Sequence, residues 1–128
     1  MWEAYGLKNK DFLWAATAFQ GGIAGEQQAP CGAISGATIA LGLRHRVATD
    51  DKEKVKKARD TACEEAAELV RSFEEKFGAI TCIELLGVDF KDEGAMKRAI
   101  ESRLFEQKCD NQVLYVIEKL YEFEKRRT

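Results

Sequence analysis

No apolar run in the 128 residues reaches the roughly 18–20 needed to span a bilayer. The opening Met1-Trp2-Glu3-Ala4 is not a basic stretch followed by the apolar core of a secretory leader. Neither charge sign dominates: 20 Lys and Arg stand against 22 Asp and Glu, a formal net charge of -2. That leaves no strong basic field for nucleic acid. Proline occurs once, and there is no linker, repeat or low-complexity tract. These absences lead us to expect a soluble cytoplasmic protein with no nucleic-acid partner and no membrane span. It is a single domain over 1–128, long enough to bury a core without disulfide staples.

The four cysteines are 32, 19 and 27 residues apart, so no Cys-x-x-Cys occurs. That excludes zinc-finger and thioredoxin-type motifs, and covalent c-type haem attachment with them. Gly21-Gly22-Ile23-Ala24-Gly25 does not match Gly-x-Gly-x-x-Gly and follows a helical pattern rather than a strand, and no Walker motif is present. In a reducing compartment, unpaired cysteines of this kind are free, metal-bound or catalytic.

What is present is helical periodicity around an almost uncharged centre. Between Phe12 and Leu43 the only charged residue is Glu26, and six of the ten glycines fall in this segment. The pattern predicts a first helix from Asp11 as N-cap through Phe19, ending in the glycines at 21–25. A second has Pro30 in its first turn and runs to Gly42 or Leu43. A third is capped by Asp50 with Glu53 three residues on, and carries Val55, Ala62, Ala66, Leu69, Phe73 and Phe77 to a stop at Gly78. Thr81-Cys82-Ile83-Glu84 opens a short helix ending at Gly87, and Asp92 caps another through Met96 and Ile100. The last helix starts at Cys109 or Asp110 and runs to Phe123. The fold class expected is all-α, a small bundle of about five helices.

Three cysteines fall at expected helix starts. Cys31 lies in the first turn of the second helix and Cys82 in the first turn of the fourth, where unpaired N–H groups and the helix dipole favour a thiolate. Cys109 lies at the start of the last helix, beside Lys108. Gly32, Gly36 and Ala40 recur every fourth residue and leave one helix face nearly bare, so another backbone or a cofactor can approach. The plainer alternative is tight helix packing around buried, inert cysteines. Cys63, mid-helix at the edge of the apolar stripe, reads as a half-buried filler. His45, between Arg44 and Arg46, reads as a solvated helix-end residue rather than a ligand.

The run Phe19-Gln20-Gly21-Gly22-Ile23-Ala24-Gly25, then Cys31-Gly32-Ala33-Ile34-Ser35-Gly36-Ala37 and Leu41-Gly42-Leu43, resembles the C_GCAxxG_C_C family. These are small helical proteins of bacteria and archaea to which redox activity is ascribed, and a similar domain occurs in split-Soret cytochrome c. The likeness continues through Phe77-Gly78-Ala79-Ile80-Thr81-Cys82-Ile83-Glu84-Leu85-Leu86-Gly87 and ends at Cys109. Three of the four family cysteines map onto Cys31, Cys82 and Cys109. The fourth would lie upstream of Met1, and residues 1–7 resemble the tail of the helix that carries it, as expected of a chain that starts late or is naturally shortened. Cys63 matches no family position.

The resemblance implies a redox or metal site. In it Cys31, Cys82 and Cys109 act as catalytic thiols or as ligands of an iron–sulfur cluster or metal, beside Gly32 and Gly36, and a redox partner protein is served. The alternative is a non-catalytic helical subunit with a degenerate cysteine site. On either reading, the uncharged segment and the aromatic residues of the last helix lead us to expect a homodimer or larger homo-oligomer.

Overall fold

Three segments carry apolar residues at three- and four-residue spacing, and they become the three longest helices of the structure. It is a computed structural model describing residues 1–127. The elements are α1 (Asp11–Ala15), a 3-10 turn (Thr17–Phe19), α2 (Gly32–His45), α3 (Lys52–Phe77), α4 (Cys82–Leu86), α5 (Ala95–Glu101), a π-helical stretch (Phe105–Cys109) and α6 (Asp110–Arg127). Among the described residues there is no β-strand, and the one β-type pairing is an isolated antiparallel bridge between Pro30 and Thr81. No described helix is long and apolar enough to cross a membrane.

The core forms where α2, α3 and α6 meet. Ile34, Ala37 and Leu41 of α2 pack with Leu69 and Phe73 of α3, Val116, Leu120 and Phe123 of α6, and Leu85 of α4. Phe73 is fully buried, and its ring centroid lies 4.7 Å from Phe77 and 6.1 Å from Tyr115. Each large apolar side chain removed from water in this way contributes about 1.5–3 kcal/mol. The loop chemistry follows the sequence at α4. Thr81 accepts from the Glu84 N–H, and Gly87 closes the helix in the left-handed region.

Several expected boundaries move. The cap of α3 is Asp51, not Asp50, and its carboxylate accepts from the Glu53 and Lys54 N–H groups. The first helix keeps only Asp11–Ala15. Its N-cap is Lys10, and the Asn9 side chain, two residues before Asp11, accepts from the Asp11 N–H. Gly94, not Asp92, precedes α5. Residues 1–7 form hydrogen-bonded turns, with Tyr5 N–H donating to Met1 C=O, and Leu7 is buried.

His45 is not solvated. Its Nε2 lies 2.8 Å from Glu65 at the end of α2, and Arg127 bonds both His45 and Glu65. Arg44 and Arg127 also pair with Glu124, so the cations flanking this corner serve as ties from α2 and α6 to facing carboxylates. The Glu124 carboxyl is held below the usual range, first by the hydrogen bond from Arg44. Cys63 is exposed on α3, beyond the half-buried position expected of it, because this part of α3 runs past the core.

Candidate functional site

The isolated β-bridge brings the segments of Cys31 and Cys82 together. Cys31 N–H donates to Ile80 C=O at 2.7 Å, and Cys82 N–H donates to Ala29 C=O at 3.3 Å, on either side of the Pro30–Thr81 pair. Cys31 and Cys82 are thus diagonal neighbours on the same side of the bridge, a relation in which Cα atoms stand roughly 7–8 Å apart. Cys82 opens α4 as expected. Cys31 does not lie within the first turn of α2: it is the N-cap, with φ of -46° and ψ of 136°. Pro30 is consumed by the bridge, and the helix begins two residues later, at Gly32.

The segment leading to Cys31 is an irregular loop that reverses sharply. Every residue from Gly21 to Gln27 except Glu26 has positive φ. Gln27, 2 % exposed, ties this loop down: its amide donates to Val88 C=O and accepts from Phe90 N–H, both at 2.8 Å. Its backbone N–H reaches Gly21 C=O, and its C=O accepts from Ile83 N–H in the first turn of α4.

Cys109 does not start a helix. It ends the π-helical stretch Phe105–Cys109, which continues without a break into α6. One turn on, on the same side, is Gln112, buried to 4 % exposure. The Cys31 thiol donates to Gln112 Oε1 at 3.7 Å. Lys108, expected to sit beside the thiol, instead turns its ammonium to Leu85 and Leu86 C=O at the end of α4.

Cys31, Cys82, Cys109 and Gln112 line one cavity of about 540 Å³, together with Gly32 and Gly36. No charged side chain lines it among the described residues, and most of the wall is aliphatic or aromatic. The two motif glycines do different things. A side chain at Gly32 would come within 3.2 Å of Phe19 C=O and 3.3 Å of Gln20 Cα, so its bareness admits the incoming loop. At Gly36 nothing lies within 4 Å, so its bare face opens on the cavity rather than on a neighbouring helix. Cys63 is not part of the wall.

Burial decides the state of the thiols. It pushes all three above the ordinary thiol pKa, against the expectation that helix N-termini would hold thiolates. Opposing this, the N–H groups of Ala33 and Ile34 favour the Cys31 thiolate, although no cap bond of normal geometry forms to its sulfur. For Cys82 the opposing group is the Gln27 amide. At Cys82 and Cys109, after burial, a negative charge on Cys31 pushes the thiol further up. Cys82 pushes Cys109 up in the same way, so the three sulfurs lie near enough to oppose one another's ionisation.

Thiols harder to ionise in the folded chain than in the unfolded one add stability that is complete below the ordinary thiol pKa of about 8.5. It is lost as pH rises through the raised values. Urea melts of the reduced protein should show stability falling across the alkaline range, with a shallower fall in Cys31→Ala. A profile identical in the two would contradict it.

The donor set does not fit the iron–sulfur cluster or metal that the family resemblance implies. A four-thiolate iron–sulfur cluster finds three thiols here, and the remaining polar side chain beside Cys31 is a neutral amide. Among the described residues, no three His, Cys, Asp or Glu side chains are grouped so as to hold a metal ion.

Gln27 and Gln112 were not singled out in the sequence. Gln112 had a signal, since it follows Cys109 by three residues on one helical face. Gln27 had only its place in the uncharged segment. A family model described as "Putative redox-active protein (C_GCAxxG_C_C)" matches residues 1–123, a span that contains the whole cavity wall. No curated protein and no solved structure matches the chain.

Proposed function

The chain belongs to the C_GCAxxG_C_C family, and from that premise we propose that it is a dithiol redox protein in which Cys31 is the central sulfur. The observation that supports this reading is that Cys31, Cys82 and Cys109 line one cavity, with the Cys31 thiol donating to the Gln112 amide in its wall. In the oxidative half-cycle the S–H bonds of Cys31 and of one neighbour break and one S–S bond forms. Two electrons and two protons leave to a two-electron acceptor. Disulfides need Cα atoms within about 7 Å, so the Cys31–Cys82 pair requires only a small tightening of the bridge region. The backbone N–H groups at the head of α2 favour the Cys31 thiolate and so suit Cys31 to attack first.

The test is anaerobic titration of the reduced protein with dithiodipyridine, followed by disulfide mapping. Every intramolecular disulfide among the cavity cysteines should include Cys31, and Cys31→Ser should form none. A Cys82–Cys109 bond as the main product of the wild type, or three thiols that remain free, would overturn the reading. So would a stable visible chromophore after reconstitution with iron and sulfide, in favour of cluster binding.

A second observation supports self-association. Trp14 is 75 % exposed, next in sequence to Leu13, which is 50 % exposed and lines the cavity together with Phe19. An apolar patch of this kind marks a contact surface. Sedimentation should give a homodimer that Trp14→Glu weakens at least tenfold. A clean wild-type monomer at micromolar concentration would contradict it.

A further inference from the structure

The cavity also restricts what can take the electrons. We propose that its oxidant is a lipophilic quinone, bound with its ring beside Cys31 and Gln112; this inference rests on the dithiol reading above. Among the described residues no charged side chain lines the wall to pair with a phosphate or a carboxylate. That disfavours charged acceptors such as nicotinamide dinucleotides and glutathione disulfide. A hydroperoxide is disfavoured on different grounds. Splitting its O–O bond calls for a cationic group to meet the departing oxygen, and no cationic side chain lines the wall among the described residues.

What the cavity does offer is an apolar volume of about 540 Å³ with three thiols in its wall and the Gln112 amide in contact with Cys31. That is the arrangement of an apolar ligand oriented by a few polar groups. Gln112 Oε1 is taken by the Cys31 thiol, which leaves the amide N–H2 as the donor available to a carbonyl oxygen. A quinone supplies that carbonyl on an uncharged ring.

The stoichiometry suits a wall with no carboxylate, histidine or lysine to hold protons. Two S–H bonds break and one S–S bond forms. The two electrons and two protons pass to the quinone, which leaves as the neutral hydroquinone. No net charge is left in the apolar space. Leu7, Phe12, Ile39, Leu43 and Ile117 line the remainder of the wall and suit an alkyl tail.

The experiment mixes the reduced full chain, under anaerobic conditions, with decyl-benzoquinone, with a sulfonated naphthoquinone or with dithiodipyridine. Quinone reduction is followed optically and the protein product by intact mass. The expected result is one hydroquinone per disulfide formed. The decyl compound should half-saturate at a concentration at least tenfold lower than the sulfonated one, since each buried methylene contributes about fourfold. Equal half-saturation, or a protein mass increased by a quinone adduct in place of a disulfide, would overturn the proposal. Oxidation by dithiodipyridine with no reduction of either quinone would overturn it and leave the dithiol reading intact. Failure of all three oxidants would overturn both.

Discussion

Gly22→Ala should melt roughly 10 °C or more below the wild type, and should lose the Cys31–Cys82 arrangement with it. Gly22 has φ of +67°, where an L-residue pays a backbone penalty of about 1–2 kcal/mol. A Cβ there would lie 2.8 Å from Ala29 C=O, 2.9 Å from Gln27 Cα and 3.0 Å from Cys82 Cβ. Two of these atoms are backbone, so no rotamer change relieves the contact. Overpacking of this kind adds about 1–3 kcal/mol. Ala29 C=O is also the acceptor of the Cys82 N–H, so any relief moves one side of the bridge that sets the two cysteines. Gly25→Ala is the control, since Gly25 has φ of +75° but nothing within 4 Å of its added Cβ. It carries the backbone penalty alone. Equal melting temperatures for the two variants would show that Gly22 is needed only for its φ.

The comparison with what the residues alone suggested divides along local and non-local physics. The stop at Gly78 and the Thr81–Glu84–Gly87 frame of α4 were legible because each depends on neighbours within one turn of chain. The apolar stripe of α3 was legible for the same reason, up to the buried pair Leu69 and Phe73. Cys31 was misplaced by one residue because its conformation is set by a bridge to Thr81, far away in the sequence. Cys109 was read as a helix start because the π-helical stretch before it has no sequence signature of its own. His45 looked solvated between two arginines, yet its environment is made by Glu65 and Arg127 from other helices. The thiols are the same case in energetic form. Position at a helix head favours the thiolate, but desolvation depends on the whole fold and outweighs it.

Gln27→Leu tests how far the site depends on a residue that no motif indicated. Leucine is close to glutamine in size and keeps the backbone demand at φ of +65° nearly unchanged, so the substitution isolates the side-chain hydrogen bonds. It removes the donor to Val88 C=O and the acceptor for Phe90 N–H. Both partners are part-buried, and each group left unpaired costs about 1–3 kcal/mol. The expected loss is therefore roughly 2–6 kcal/mol, a large share of the 5–15 kcal/mol that a domain commonly has. The loss should also reach the chemistry. The Gln27 amide helps to steady the Cys82 thiolate, and its removal leaves burial less opposed. Alkylation of Cys82 at fixed alkaline pH, measured on chain that is still folded, should then be slower than in the wild type. Gln27→Glu keeps an acceptor for Phe90 N–H but loses the donor to Val88 C=O, and should fall between the two in stability. A Leu variant as stable as the wild type would show that water satisfies the Val88 and Phe90 groups and that Gln27 does not anchor the loop.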